Sequence, residues 1–329
     1  MPTTIMSDIQ TVAALGNYDA RPPVGTEWEV TDFGSSAWVG VAPAAVPEIN
    51  VGIYDGVLGP SWILQSTDIR GWYRRQRLFI NNANYLRLNN PNGGAARNLS
   101  FSAKVARIFG TNPTVVITDL QNVGAGANWD IQPAAGVEYE ITDVGASVWV
   151  GGAPFNQPDM TVSIYNGAIA AAVMLGAEAR GWGKPLSIHI NNTDYLRLTN
   201  TNVGANVLSV VGKISRIYGT GATVVRTDVQ AIGAGANWDV RPPLGQEWKV
   251  TEFGSGTWVG VSPAGIPQIT VSLYDGALAS VLMQSTDNKG WFDELEILID
   301  NVNYLRINDA SGAGQNIACS AVLTRQFQS

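Results

Sequence analysis

The sequence predicts an all-β protein built as three tandem antiparallel β-sandwich domains of jelly-roll type. Three observations predict it. First, whole columns of residues recur: Trp28, Tyr139 and Trp248 lie 111 and 109 residues apart, and Trp38, Trp149 and Trp258 repeat those intervals. Second, within a copy the apolar period is two, that of a strand with one buried face, and no stretch sustains a helical period. Third, Gly, Pro and Asn clusters cut each copy into about eight short segments, the strand number of a jelly roll.

The columns set the boundaries. Trp72, Trp182 and Trp291 follow at 110 and 109, and Arg107, Arg216 and Arg325 close the unit at 109 and 109. Ten of the eleven tryptophans fall in four such columns, so the repeat runs through the whole unit, and only Trp62 stands alone. Units of about 109 residues are domain-sized, which places the domains at 1–110, 111–219 and 220–329. About a dozen residues separate one copy's closing Arg from the next copy's opening Asp, so consecutive domains are neighbours. Each connection makes the same step, and a pseudo-threefold arrangement is expected.

Within a copy the elements follow in order. Each opens on a strand-like run, Ile5 to Gln10, Val116 to Gln121 and Val225 to Gln230. Next comes an aromatic-Asp-x-(Arg/Gln)-Pro segment, clearest at Trp238 to Pro242; proline fixes φ and removes a ladder donor, so it ends a strand or lies at an edge. A glycine turn leads to a strand that points Trp28 and Val30 one way and Glu27, Glu29 and Thr31 the other. The Trp38 column precedes loops bounded by Pro43 and Pro47, Pro154 and Pro158, and Pro263 and Pro267; stiff anchors around a variable middle suit an interface. Ile49, Val51 and Ile53 then alternate with Asn50, Gly52 and Tyr54. The hairpin signals Tyr54-Asp55-Gly56, Tyr165-Asn166-Gly167 and Tyr274-Asp275-Gly276 follow. Finally Tyr85-Leu86-Arg87-Leu88 puts its two leucines on one face.

Composition narrows the function. Charged residues make up 14% of the chain, well under the usual quarter or so, so neutral polar groups solvate the surface. A net charge of -7 leaves no basic footprint for nucleic acid. The single cysteine, Cys319, excludes an intrachain disulfide framework. The first ten residues carry no signal-peptide pattern, and no apolar run approaches the roughly 20 residues of a membrane helix. No cofactor, nucleic acid or membrane partner is expected.

Chemistry is sought in recurring charges. An enzyme needs a titratable pair held in geometry, and no such pair repeats. His189 shares a column with Phe79 and Leu298 on the face opposite the core; Cys319 shares one with Phe101 and Val210 as a small core hydrophobe. Asp8, Asp119 and Asp228 open the units, and Arg107, Arg216 and Arg325 close them among core-facing neighbours. A buried guanidinium needs a carboxylate, which the opening Asp or Glu27, Glu138 and Glu247 would supply, so a structural lock is expected. Arg70, Arg180 and Lys289 precede a Gly-Trp pair and serve either packing or contact with a partner. Trp38, Trp149 and Trp258 are either core or a sugar-stacking platform; the glycine two residues on invites close packing. The pairs Asp300-Asn301 and Asn191-Asn192 lack a calcium loop's spacing and terminal Glu and are expected as asparagine turns.

The Trp-Asp-Val-Arg-Pro-Pro-x-Gly-x-Glu-Trp motif at Trp238 to Trp248 and the Asn-x-x-Tyr-Leu-Arg-Leu motif at Tyr85 and Tyr195 resemble small all-β virion proteins of tailed bacteriophages. The resemblance is nearest to capsid decoration, or cement, proteins, and weaker to tail-fibre domains. It implies a non-enzymatic virion protein on the capsid surface, with the major capsid protein of a phage shell as partner and docking near local three-fold positions. The rival class is a carbohydrate- or receptor-binding fibre module. The family has no catalytic motif, so no functional residue carries over.

Overall fold

The computed structural model describes residues 5–36, 38–39, 46–47, 49–64, 77–108, 115–150, 157–175, 186–217, 223–256, 258–259, 266–284 and 296–326. Every regular element among them is a strand. The first copy holds β1 (Ile5–Val12), β2 (Asn17–Ala20), β3 (Thr26–Ser35), β4 (Trp38–Val39), β5 (Val46–Pro47), β6 (Asn50–Tyr54), β7 (Ser61–Leu64), β8 (Leu78–Ile80), β9 (Tyr85–Asn89) and β10 (Arg97–Ile108). The second holds β11 (Asp119–Val123), β12 (Asn128–Ile131), β13 (Val137–Ala146), β14 (Trp149–Val150), β15 (Gln157–Pro158), β16 (Met160–Tyr165), β17 (Ala170–Met174), β18 (Ile188–Ile190), β19 (Tyr195–Asn200) and β20 (Asn206–Ile217). The third holds β21 (Asp228–Ile232), β22 (Asn237–Val240), β23 (Gln246–Ser255), β24 (Trp258–Val259), β25 (Ile266–Pro267), β26 (Ile269–Tyr274), β27 (Ala279–Met283), β28 (Ile297–Ile299), β29 (Tyr304–Asp309) and β30 (Gln315–Gln326).

Pairing follows one scheme in every copy. In the first, β1 pairs β10, β2 pairs β9, β3 pairs β8 and β6 pairs β7, all antiparallel. First strand with last, second with last but one, and so inward, is the nesting of a jelly roll. It leaves two sheets, β1-β10-β3-β8 and β2-β9-β6-β7, and the same two orders recur through β11–β20 and β21–β30. Period-two residues fill the space between: Ile49, Val51 and Ile53, and Leu86 and Leu88, are fully buried. The hairpin glycines adopt the left-handed φ their turn demands, 89°, 91° and 97° at Gly56, Gly167 and Gly276.

The sheets are not private to a copy. Strand β7 also pairs β13 through Trp62 and Ala146, and β17 pairs β23 through Ala172 and Ser255. One sheet of each copy thus runs into a sheet of the next, giving two continuous eight-stranded sheets. Cores are shared as well: Leu120 and Val211 pack in the first copy's apolar cluster, and Val229 and Ala318 in the second's. Among the described residues no strand of the third copy pairs with a strand of the first. Among the described residues the third copy's β27 ends its sheet unpaired on the outer side, so no strand pairing there makes the expected pseudo-threefold closure.

Candidate functional site

The chain's distinctive chemistry lies at the junctions between copies. Each β3-equivalent strand carries a glutamate as its second residue, Glu27, Glu138 or Glu247. In the first copy the buried Glu27 accepts hydrogen bonds through Oε1 from the backbone N–H of Val115, at 2.9 Å, and of Val116, at 3.0 Å. In the second, the buried Glu138 accepts from Val224 N–H at 2.6 Å, Val225 N–H at 3.1 Å and the Thr223 hydroxyl. A carboxylate of one copy thus captures the connection into the next. Two residues further along, a hydroxyl completes the clasp: Thr118 donates to the Phe79 carbonyl at 2.5 Å and Thr227 to the His189 carbonyl at 2.5 Å. Asn84 Nδ2 donates to the Thr118 carbonyl at 2.5 Å.

The rest of the junction is close backbone approach and charge. A Cβ on Gly145 would stand 2.7 Å from the Trp62 carbonyl oxygen, and one on Gly254 would stand 2.5 Å from that of Ala172. Glycine is what lets the edge strand seat there. At the first junction Glu140 lies 2.9 Å from Arg77 and 3.3 Å from Lys213. Burial alone would raise this carboxyl, but the two cations hold it below its ordinary value. At the second junction burial lowers His189, whose backbone N–H donates to Ser320 Oγ at 3.0 Å. The histidine is part of a packed seam, a more specific setting than the face opposite the core.

A second arrangement occurs once on each unit's other sheet. Arg87 makes a bidentate pair with Asp19, Arg197 with Asp130 and Arg306 with Asp239, each first contact at 2.7 Å. The same guanidinium carbons lie over Tyr54, Tyr165 and Tyr274 at 3.5, 3.6 and 3.7 Å. The pairing with Asp, chiefly, raises all three arginines above their ordinary value. Each tyrosine meets its cross-strand neighbour, Tyr85, Tyr195 or Tyr304, edge to face. Nearby, Arg21, Gln132 and Arg241 donate to the carbonyls of Asn82, Asn192 and Asn301, and those asparagines donate back to Pro22, Pro133 and Pro242. Arg and Gln share that column because each aims one N–H at the same carbonyl. These Asp–Arg–Tyr sets escape single-motif reading; the signal for them is an Asp and an Arg held in fixed columns of all three copies.

The expected site residues separate. Asp8, Asp119 and Asp228 pair by register with Phe101, Val210 and Cys319, six residues along the strand from the closing arginines. Their carboxylates serve local donors: Asp8 accepts from Tyr18 Oη at 2.6 Å, and Asp119 and Asp228 from the next residue's N–H. Register sets Arg107 opposite Glu27, Arg216 opposite Glu138 and Arg325 opposite Glu247. The arginine side chains lie outside the described residues. So do Arg70, Arg180, Lys289 and the side chains of Trp38, Trp149 and Trp258, whose backbones pair with Pro47, Pro158 and Pro267. The Asn191 and Asp300 side chains cap turns, accepting from Thr193 and Asp194 N–H and from Val302 and Asn303 N–H. Cys319 is buried in the third copy's core cluster.

No protein family and no curated protein matches the chain. Among solved structures, it superposes on the crystal structure of the STIV MCP with a TM-score of 0.27 and 10% identity, covering 63% of this chain and 96% of that one. An atomic structure of Sulfolobus Turreted Icosahedral Virus gives a TM-score of 0.26 and 10% identity over 64% and 90%. Superpositions of this quality carry no weight for function.

Proposed function

We propose that the chain is a non-enzymatic structural protein of a virion, a decoration or cement protein on the surface of a phage shell. One observation carries the reading: the recurring side-chain chemistry, Asp–Arg–Tyr on one sheet of all three copies and the carboxylate clasp at the two junctions, is spent on contacts within the chain. Such groups stiffen a scaffold. Three units, 1–110, 111–219 and 220–329, are joined by one repeated step. Several weak contacts made at once raise avidity without any strong one. The partner is the major capsid protein, engaged near local three-fold positions and bridged to its neighbours; strand register places Arg107 and Arg216 opposite the buried Glu27 and Glu138. Cryo-electron microscopy of shells with and without the chain tests this, with added density across neighbouring subunits and a raised disruption temperature expected. Binding to glycans with no density on shells would replace it with the fibre-module reading, in which Trp38, Trp149 and Trp258 stack on sugar.

A further inference from the structure

Two junctions are made within the chain, and the two halves of a third are present at its ends. The knob half is on the first copy. Ile9 is 65% exposed, whereas Leu120 and Val229 in its column are 5% and 3% exposed, each inserted into the core of the preceding copy. Among the described residues, Gly34, in the column of Gly145 and Gly254, has no backbone against its Cβ position, only Ser100 Oγ at 3.0 Å. The open groove beside it is lined by Ser7, Ile9, Phe33 and Phe101, and Ser7 keeps the hydroxyl of Thr118 and Thr227.

The socket half is on the third copy. Its edge strand β27 is exposed at Ala279, Ser280 and Val281, where β7 and β17 are mostly buried. Val281 is 48% exposed in the column of Trp62 and Ala172, and Leu298 is 68% exposed in the column of Phe79 and His189. A groove lined by Glu247, Leu298, Asp300 and Asn303 lies where residues 115–118 fill the first copy and 223–227 fill the second. Glu247 retains the clasp carboxylate, and Asn303 the amide of Asn84.

We infer that a second copy of this chain docks its first repeat on the third repeat, repeating the internal junction between molecules. Ile9 enters the socket, β27 lies against Gly34 and Ser35, and the strand at Ile5 to Ser7 fills the Glu247 groove. The interface is head to tail, so assembly continues into a ring or a filament. One column opposes it. Glu296 stands where Arg77 stands at the first junction and meets Glu29, the counterpart of Glu140; each already holds a cation, Lys249 at 2.7 Å and Arg77 at 3.5 Å. The contact between molecules is consequently weaker than the internal ones and strengthens with salt.

Sedimentation velocity over a concentration series tests it on the full chain. Wild type should rise above the monomer mass of 35.0 kDa, and more so at high salt. Ile9→Arg and Val281→Arg change exposed side chains at opposite ends; each alone should stay at 35.0 kDa. An equimolar mixture should give a species of twice the mass and nothing larger, since one intact head meets one intact tail. Wild type that stays monomeric throughout overturns the inference. So does undiminished association of both variants, or a monomeric wild type whose hydrodynamic radius grows on either substitution, which would mean that one chain closes on itself.

Discussion

At the scale of single residues, the decisive groups are carboxylates whose surroundings differ between copies. Glu138 holds two backbone N–H groups of the following connection, while no such bond reaches the Glu247 carboxylate among the described residues. Glu138→Ala should cost about 1–3 kcal/mol for each buried donor left without a partner. Glu247→Ala, at a partly exposed position, should cost under about 1 kcal/mol. Urea denaturation of the two variants measures the contrast, and equal losses would remove the clasp. Asp194 occupies the column of Asn84 and Asn303, and burial, with Asp228 nearby, pushes its carboxyl from 3.8 up to about 7. Between those values the folded chain keeps a proton that the unfolded chain has lost, so stability falls as pH rises through the window. Asp194→Asn removes that loss. Its gain in Tm should be small near pH 4 and larger at pH 8, and a gain independent of pH would show that the carboxyl is not the cause.

At the scale of elements, a junction is an edge strand seated on glycine. Strand β17 reaches β23 only because Gly254 leaves room for the Ala172 carbonyl. Gly254→Val places side-chain carbons against backbone that has no flexible end to yield. The expected cost is about 1–3 kcal/mol or more, with faster amide exchange along β17 and none of that change in β7. Unaltered protection of β17 would mean that the seam does not depend on this contact. The same logic explains Trp62, the tryptophan without a column. Its place is taken by Ala172 and Val281: Trp62 and Ala172 lie on the strand that meets the next copy, where each junction is packed separately, and Val281 lies on the equivalent strand β27 at the sheet's edge.

At the scale of the whole molecule, shared cores and continuous sheets make one copy's unfolding its neighbour's problem. Losing the third copy would uncover the Glu138 clasp and withdraw Val229 and Ala318 from the second core. Calorimetry should therefore show one transition with calorimetric and van't Hoff enthalpies in agreement. Three resolved transitions would mean that the copies are independent beads.

Strand period, turn chemistry and triplication were legible in the sequence because each rests on local sterics or on comparing the chain with itself. Trp28 and Val30 face inward as their parity requires, and Gly56, Gly167 and Gly276 take the φ their turns need. The jelly-roll pairing followed from strand number and turn spacing. Glu27 and Glu138 were legible as carboxylates for a buried arginine, but not as acceptors for backbone from the next copy. Nor could parity show that Asp19 meets Arg87, or that Ile9 is exposed where Leu120 and Val229 are buried. A side chain's face is set by its own strand. What covers that face is set by a segment up to a whole repeat away, and only the tertiary structure brings the two together.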